Sequence, residues 1–388
     1  MMERWPEVDE RGNVVRLVRS FFEFIEVKEL GEEPEFYLWT RRGCARAGEE
    51  LRWLATLWYE PASEAVGYVA PDLDAYMDLL AEALRGKLEG KRVMVDFSGG
   101  KDSLATLAVL RELSERLDFT VVAVYVYVPY LEATDSLKFA EEAARRLGVD
   151  FELVEADRRR ILYYLYRSGL PRRGARWCTY LKVRALRDLM EERRFDLEAK
   201  GDRLVEAGKR LTRLYHLLRT GTFLQGRKLN VVYSLTLLDV VKICREVGLV
   251  HPHYLIGLPR VSCAYCPYKS LYELELAEDL PVEDPGLIDH VLTIQYQRYY
   301  SPVVSREEFL EQHLWRYSPS IAKQLATVRR EYSGREELGV DEVRRAFSSL
   351  WRSPLPRAER IALEELREAV KEVEGPDLIL KPGERRPV

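Results

Sequence analysis

The sequence predicts an α/β protein built around a doubly wound parallel sheet. From residue 91 onward, short runs rich in β-branched residues alternate with longer stretches of helical periodicity, which is typical of strands joined by crossover helices. The run at 119–128 is almost entirely apolar, as expected for a strand that is buried on both faces. A turn rich in glycine follows the first run, where a strand passes into a helix. An aromatic-rich layer is expected before this sheet, and a helical extension after it.

The periodicity places the individual elements of the sheet region. The predicted strands are 92–97, 119–128, 150–155 and 229–233. The predicted helices are 103–117, 136–147, 178–192, 204–219 and 236–246.

Three regions follow from this pattern. Residues 1–90 form an N-terminal aromatic and helical region, in which aromatic side chains precede a helical spacing at Leu73, Met77, Leu80 and Leu84. Residues 91–270 form the domain that contains the predicted parallel sheet. Residues 271–388 form a helical C-terminal region, because charged stretches there are punctuated by leucine.

Composition narrows the class of protein. The 388 residues are 47% hydrophobic and 32% charged, with a net charge of -4, so no global basic field indicates nucleic-acid binding. The high charged fraction and the presence of only two asparagines favour a thermophilic source. The longest apolar stretch, Val121–Val128, is far shorter than the roughly 20 residues of a membrane helix. We therefore expect a cytoplasmic protein.

The glycine-containing turn is the most specific motif in the sequence. It reads Ser98-Gly99-Gly100-Lys101-Asp102-Ser103. The glycines permit a turn in which successive N–H groups point at one anion, and the following helix adds the positive end of its dipole. Lys101 can neutralise phosphate oxygens, the two serines can donate to them, and Asp102 can hold Mg²⁺ or orient the loop.

Two other nucleotide motifs do not fit these residues. A Walker A loop requires glycine where Val95 stands, and Ser or Thr where Asp102 stands. A Gly-x-Gly-x-x-Gly dinucleotide fingerprint is absent as well.

Three later stretches carry further candidate residues. The first, 176–182, contains Arg176, Cys178 and Lys182, and concentrates positive charge beside a thiol. The second, 201–210, contains Gly201 and Arg203. The third, 254–267, contains Arg260 followed by the C-x-x-C pair Cys263 and Cys266.

The loop and these stretches, in this order, resemble the N-type ATP pyrophosphatases of the PP-loop superfamily, and within them the phosphoadenosine phosphosulfate (PAPS) reductase-like family. The resemblance covers about residues 91–268 and implies a sheet of the adenine nucleotide alpha hydrolase type. It implies that ATP with Mg²⁺ is held by Ser98, Gly99, Gly100, Lys101, Asp102, Ser103, Arg203 and Arg260. It also implies that Lys101, Asp102, Arg176 and Lys182 are the catalytic residues.

The resemblance also brings Cys178 near Cys263 and Cys266. Three thiolates with an open position suit a 4Fe–4S cluster better than structural zinc, which usually takes four closed ligands. Zinc stays the alternative. A fourth ligand could be Cys244, Cys44 or a group from outside the chain, although we favour the interpretation of both cysteines as small buried hydrophobic residues.

Three functions are consistent with the sequence. The first is an ATP pyrophosphatase that adenylates an acceptor, either a sulfur oxyanion or a tRNA base, in sulfur metabolism or thiolation. The second is reduction of PAPS or adenosine phosphosulfate, but reductases of this family generally lack the intact loop and use a cysteine near the C-terminus, whereas this sequence has none after Cys266. The third is a nucleotide-sensing, RNA-binding module. A homodimer is one assembly that we consider.

Overall fold

The computed structural model describes residues 4–51, 68–69, 73–206, 208–357, 359–360 and 365. Parts of the predicted N-terminal and C-terminal regions therefore lie outside the described residues. Side chains are described for most of these positions, including every predicted site residue.

The N-terminal region forms an antiparallel sheet of five strands in the order β1-β2-β3-β4-β5. Sequence analysis predicted an aromatic layer here without strands. The residues form an antiparallel sheet because short turns join consecutive strands. Phe21 at the end of β2, for example, pairs directly with Phe24 at the start of β3. The strands are β1 (Trp5–Val8), β2 (Val14–Phe21), β3 (Phe24–Glu29), β4 (Glu35–Thr40) and β5 (Gly43–Arg46).

A second sheet has six strands in the order β11-β12-β10-β7-β8-β9. All neighbouring pairs are parallel except β11 with β12. Its strands are β7 (Arg92–Asp96), β8 (Thr120–Tyr127), β9 (Asp150–Glu155), β10 (Leu197–Ala199), β11 (Leu224–Gln225) and β12 (Lys228–Leu229), whereas β6 (Tyr68–Val69) pairs separately with β13 (Glu359–Arg360).

Helices surround this sheet and continue into the C-terminal region. Those before residue 260 are α1 (Leu73–Leu84), α2 (Lys101–Leu117), α3 (Thr134–Leu147), α4 (Arg158–Ser168), α5 (Trp177–Glu192), α6 (Gly208–Thr220), α7 (Leu237–Glu246) and α8 (Pro252–Leu255). Those after it are α9 (Leu271–Glu275), α10 (Pro285–Gln295), α11 (Arg306–Glu311), α12 (Pro319–Tyr332) and α13 (Val340–Arg352).

The predicted doubly wound parallel sheet is confirmed. Val93 and Val95 of β7 face the main core, while Met94 points to the opposite face and packs with Leu189 of α5. Because successive side chains of a strand alternate between faces, helices must cover both sides. The C-terminal region is helical in its described part, also as predicted.

The sequence prediction differed at two strands. The segment predicted as a strand at 229–233 is a strand only to Leu229 and then turns, and the short central strand β10 was missed. β10 has only three residues, too few to show an alternating pattern. Its position beside β7 nevertheless locates the expected ligand site. The strand order reverses between β7 and β10, and ligands of such sheets bind at that switch point.

One hydrophobic core joins all three predicted regions, with Trp39, Leu107 and Phe347 among its buried members. The boundaries at residues 90 and 270 stay predictions. Among the described residues, no helix has the length and apolarity to cross a membrane.

A buried carboxylate ties the N-terminal sheet to the C-terminal helices. Glu23, in the turn between β2 and β3, is fully buried and lies 2.7 Å from the Arg316 guanidinium. It also accepts hydrogen bonds from Arg329 of α12 and from Tyr317. Because both arginines are buried as well, each depends on this carboxylate for its counter-charge.

We expect Glu23→Gln to lower the free energy of unfolding by about 3–5 kcal/mol, because it leaves two buried guanidinium groups without a counter-charge. Urea unfolding of the full chain measures this. The matched control is Glu29→Gln, at an exposed position at the end of β3, which should change the free energy by less than about 0.5 kcal/mol. Equal effects of the two substitutions would contradict the role of Glu23.

Candidate functional site

The predicted phosphate loop lies between β7 and α2, at the switch point of the sheet. Gly99 has a φ of 74°, and α2 begins at Lys101 directly after its N-cap, Gly100. The Ser103 hydroxyl donates to the Gly100 carbonyl at 3.0 Å and accepts from the Ser98 N–H at 3.2 Å. These contacts fold the six residues into a closed turn at a helix N-terminus, a place that favours anions.

Close packing explains why glycine stands at two positions of this site. A Cβ on Gly99 would lie 3.3 Å from the Phe139 ring and 3.4 Å from the His251 ring. A Cβ on Gly201, in the segment after β10, would lie 2.8 Å from the backbone of Asp102. Gly201 therefore lets the segment after β10 lie directly against the first turn of α2.

Three charged side chains form the centre of the loop. The Asp102 carboxylate accepts from Lys101 Nζ at 2.9 Å and from Arg203 Nε at 2.5 Å. Lys101 is 5% exposed and Arg203 is fully buried. Burial alone would raise the pKa of Asp102, but Arg203 and Lys101 hold it well below its ordinary value. The site therefore carries two cations and one carboxylate, an excess of positive charge that suits a phosphate.

Aromatic residues from three parts of the chain hold the loop in place. The Tyr254 hydroxyl accepts from the Lys101 backbone N–H at 2.8 Å, and its ring stacks on Trp351 of α13 at 4.6 Å. The Trp5 ring of β1 lies 5.6 Å from Lys101 Nζ, within the range of a cation–π contact. Sequence analysis did not link Tyr254, Trp5 or Trp351 to the loop, because an aromatic residue far away along the chain gives no local signal.

Asp96 is a further site residue that sequence analysis missed. It ends β7, immediately before the loop, and its Oδ2 lies 3.1 Å from Lys200 Nζ. Its other carboxylate oxygen is buried without a hydrogen-bond partner. Burial raises the pKa of Asp96 to about 7, because the charge of Lys200 offsets only part of the cost. A carboxylate at the carboxyl end of a buried strand was the signal that could have found it.

The three predicted cluster cysteines converge on a second centre around Lys182. Lys182 Nζ donates to Glu132 at 3.0 Å, and the Cys263 thiol lies 3.9 Å from the same carboxylate. Cys178, Cys263 and Cys266 are close enough for their charges to interact with one another. Burial and these neighbours raise the pKa of Cys178 and Cys263. A positively charged group among the thiols would relieve that cost, so the donor set fits a thiolate-binding metal or cluster.

The thiols are not arranged as a finished metal site. In the described part of the chain, no group of three or more His, Cys, Asp or Glu side chains is positioned to hold a metal ion. Cys44 is buried in β5, and the Cys244 thiol donates to the Lys101 carbonyl at 3.5 Å. Both therefore have the surroundings of buried structural cysteines, and the ligand set stays a prediction.

The two remaining predicted arginines lie between these centres and the surface. Arg176 is exposed at the N-terminal end of α5 and covers the Tyr268 ring at 4.7 Å. Arg260 donates to Glu273 at 2.8 Å. Arg260 is thus beside the cysteine pair, whereas nothing in the contacts of Arg176 links it to the phosphate loop.

A cleft of about 700 Å³ lies apart from the predicted residues. It is bordered by Asp135 and His253 on one side and by Arg344, Arg345 and Arg352 of α13 on the other. None of the predicted site residues lines it.

We expect Gly201→Ala to lower the free energy of unfolding by about 1–3 kcal/mol, because the new methyl group would overlap the Asp102 backbone. The same displacement should weaken nucleotide binding. Gly286→Ala, at the exposed start of α10 where no backbone is near, is the control and should leave both unchanged or slightly raise stability. Urea unfolding and nucleotide titration measure the two effects. A Gly201→Ala protein that behaves like the control would be inconsistent with the close contact.

The raised pKa of Asp96 predicts a pH dependence of stability. The folded carboxyl keeps its proton up to about pH 7, whereas the unfolded carboxyl loses it near pH ~4. Between these values the folded state binds more protons, so the contribution of Asp96 to the free energy of unfolding falls as the pH rises. Asp96→Asn should remove this decline, and the exposed control Asp150→Asn should keep it, as measured by unfolding from pH 4 to pH 8. Identical slopes in wild type and Asp96→Asn would refute the assignment.

Comparison with known proteins agrees with this site. Residues 92–268 match the model of the phosphoadenosine phosphosulfate reductase domain. An uncharacterized protein of Methanocaldococcus jannaschii is 26% identical over 229 residues, which cover 54% of this chain and 46% of that relative, about half its length. The tRNA-cytidine(32) 2-sulfurtransferase of Shewanella woodyi is 26% identical over 246 residues, covering 57% of this chain and 70% of that enzyme.

Solved structures include a similar chain in the U34-tRNA thiolase NcsA from Methanococcus maripaludis, which was determined with its 4Fe–4S cluster. It is 15% identical, covers 74% of this chain and 90% of its own, and has a TM-score of 0.38. The phosphate loop at the switch point of the sheet and the family match coincide in the same residues. The family model therefore matches the segment that carries the loop at 98–103 and the three predicted cluster cysteines, and residues 92–268 of this chain resemble a phosphoadenosine phosphosulfate reductase domain.

Proposed function

We propose that the chain is an ATP pyrophosphatase that adenylates an acceptor oxygen so that sulfur can replace it. The observation that carries the proposal is the loop at 98–103, which keeps its Lys101-Asp102 pair at the switch point of the sheet and lies in the same domain as three convergent thiols. The domain family and the tRNA sulfurtransferase relative support the same class of reaction.

The loop would bind the β- and γ-phosphates of ATP. Its backbone N–H groups and the start of α2 provide donors, and Lys101 provides a positive charge. Lys101 is paired with Asp102 in the absence of nucleotide, and Arg203 contacts the other oxygen of the same carboxylate. When phosphate attracts Lys101, Arg203 keeps Asp102 neutralised, and this carboxylate is the one we assign to Mg²⁺.

Adenylation is a displacement at the α-phosphorus of ATP. An acceptor oxygen forms a bond with the α-phosphorus, and the bond from that phosphorus to the bridging oxygen of the pyrophosphate breaks. Pyrophosphate leaves with the electron pair and is neutralised by Lys101 and the loop. Catalysis is then mainly positioning and charge stabilisation. A sulfur nucleophile then attacks the acceptor atom that carries the adenylated oxygen. The bond from that atom to the oxygen breaks, and the oxygen leaves as part of AMP.

The thiol centre is the part of the site suited to sulfur. Lys182, held by Glu132, places a positive charge beside Cys263 and offsets part of the burial that raises the pKa of this thiol. If a 4Fe–4S cluster is bound by Cys178, Cys263 and Cys266, its open iron would supply a position for sulfide. Zinc at the same ligands stays the alternative.

A tRNA base is the acceptor that we favour over a sulfur oxyanion. The Shewanella woodyi relative acts on a tRNA cytidine, and the match covers 70% of that enzyme. The exposed arginines of α13 and Arg176 offer local positive charge to an RNA backbone, despite the net charge of -4.

Incubation of the full chain with ATP, Mg²⁺ and unmodified tRNA should release AMP and pyrophosphate in equal amounts. Lys101→Ala should lower this rate by at least about 100-fold, because the charge on the leaving pyrophosphate loses its main counter-charge. The control is Lys323→Ala, at an exposed position of α12 without an ion pair among the described residues, and it should keep the wild-type rate. Sulfite release from PAPS without ATP would instead indicate a reductase.

Anaerobic purification should give iron and sulfide in equal amounts, and Cys263→Ser should remove most of both, because the predicted cluster has only three protein ligands. Cys44→Ser is the matched control, since that buried thiol belongs to the N-terminal sheet. Metal and sulfide analysis of the three proteins tests this. Zinc alone at one per chain would exclude sulfur delivery by a cluster.

A further inference from the structure

Three hydrogen-bond donors next to the cysteine pair have no partner among the described residues. They are Lys269 Nζ, a terminal nitrogen of Arg260 and the Ser262 hydroxyl. Lys269 is 0% exposed, so bulk solvent does not reach its ammonium group. A buried donor left without a partner costs about 1–3 kcal/mol, and more when it is charged. Clusters of such groups therefore indicate a missing acceptor.

The three donors belong to one small region. Ser262 lies between Arg260 and Cys263 in the chain. The charges of Lys269 and Arg260 are close enough to interact with each other and with both Cys263 and Cys266. The donors therefore surround the C-x-x-C turn rather than being scattered through the core.

The backbone that carries Lys269 is fixed. Arg173 donates to the Pro267 carbonyl at 2.8 Å and to the Lys269 carbonyl at 3.2 Å, and Arg316 donates to the same Lys269 carbonyl at 2.8 Å. The Lys269 N–H donates to the Cys266 carbonyl at 3.0 Å. These bonds fix the backbone of Lys269, whose side chain lies in the interior.

The charges around this region do not cancel. Glu273 is fully buried and pairs with Arg260, and Glu23 is already occupied by Arg316 and Arg329. Lys269 shares the Glu273 carboxylate with Arg260 at longer range, so this single carboxylate faces two cations. A buried positive charge is stable only when an anion is near, so the region is prepared to accept one.

The same region adjoins the phosphate loop. The side chain of Val261 lies 3.7 Å from the position that a Cβ on Gly100 would take. Lys269 is also within electrostatic range of His251, whose ring packs against Gly99. The donors thus lie between the loop, where the nucleotide would bind, and the thiols, where sulfur would be held.

We propose that Lys269, Arg260 and Ser262 form a pocket for a tetrahedral oxyanion between the phosphate loop and the Cys263–Cys266 turn. Three donors on separate side chains match the oxygens of a phosphoryl or sulfate group, and the arginine and lysine supply its counter-charge. The occupant is either the phosphoryl group of a 5′-nucleotide or a free oxyanion such as sulfate. This inference rests on the proposed function and adds the residues that hold the oxyanion beside the thiols.

The test measures melting temperature and binding in the full chain, with sulfate or AMP at millimolar concentration and constant ionic strength. Wild type should be stabilised by at least one of these ligands, because an anion that binds only the folded state raises its stability. Lys269→Met keeps the length and most of the volume of the side chain but removes the charge. It should weaken binding of the stabilising ligand by about 10–100-fold, the value of a hydrogen bond to a charged group.

Two controls separate the pocket from other effects. Lys323→Met, at the exposed position of α12, should respond to both ligands like wild type. Lys101→Ala should keep the response to sulfate, which shows that sulfate does not act through the phosphate loop. Without ligand, Lys269→Met should melt at the wild-type temperature or above, because a buried unpaired charge is removed, whereas a structural lysine would melt lower.

The outcomes distinguish the two occupants. Loss of the sulfate response in Lys269→Met assigns the pocket to a free oxyanion, and loss of the AMP response alone assigns it to the nucleotide phosphoryl group. A Lys269→Met protein that binds both ligands as wild type does overturns the proposal, as does a wild type that neither ligand stabilises.

Should Lys269→Met fail to fold, Ser262→Ala removes one donor without changing charge and should weaken binding about 5-fold. ATP turnover is not measured here, so the pocket and the proposed function can fail separately.

Discussion

The buried contact of Asp102 with Lys101 and Arg203 is the interaction on which the site depends. It joins three parts of the chain: the loop after β7, the first turn of α2 and the segment after β10. Arg203 is fully buried, so the carboxylate of Asp102 is its necessary partner, and Gly201 must be small for the two segments to meet. The contact therefore joins the elements at the switch point of the sheet and holds Lys101 in the loop to which we assign phosphate binding.

The regions outside the family domain support this centre from two sides. Tyr254 accepts a hydrogen bond from the first N–H of α2, and Trp351 of α13 stacks on it. Trp5 of the N-terminal sheet lies over the Lys101 ammonium group. Glu23 then joins that sheet to Arg316 and Arg329 in the C-terminal region. Both terminal regions thus contribute aromatic rings to the surroundings of the loop, and the Glu23 ion pairs join these regions to each other.

The part of the site around the cysteine pair differs from the phosphate loop in how its polar groups are paired. Around the loop nearly every charge has a partner, whereas around Cys263 and Cys266 several buried donors have none. Proteins keep unsatisfied buried groups mainly where a ligand will satisfy them, since each one lowers the stability of the empty state. The contrast is consistent with our proposals that one half of the site binds a nucleotide and the other half receives an anionic group beside the thiols.

The local sequence determined the phosphate loop, the strands at 92–96, 120–127 and 150–155, and the helices that follow them. These elements have strong periodicity or a motif of six adjacent residues, so each carries its own signal. It also indicated that Cys178, Cys263 and Cys266 belong to one site. Only the tertiary structure showed β10, the five N-terminal strands, the aromatic support from Trp5 and Trp351, and the partners of Asp96 and Lys269. Those features depend on contacts between residues far apart in the chain, and burial and pairing of that kind leave no pattern in the neighbouring sequence.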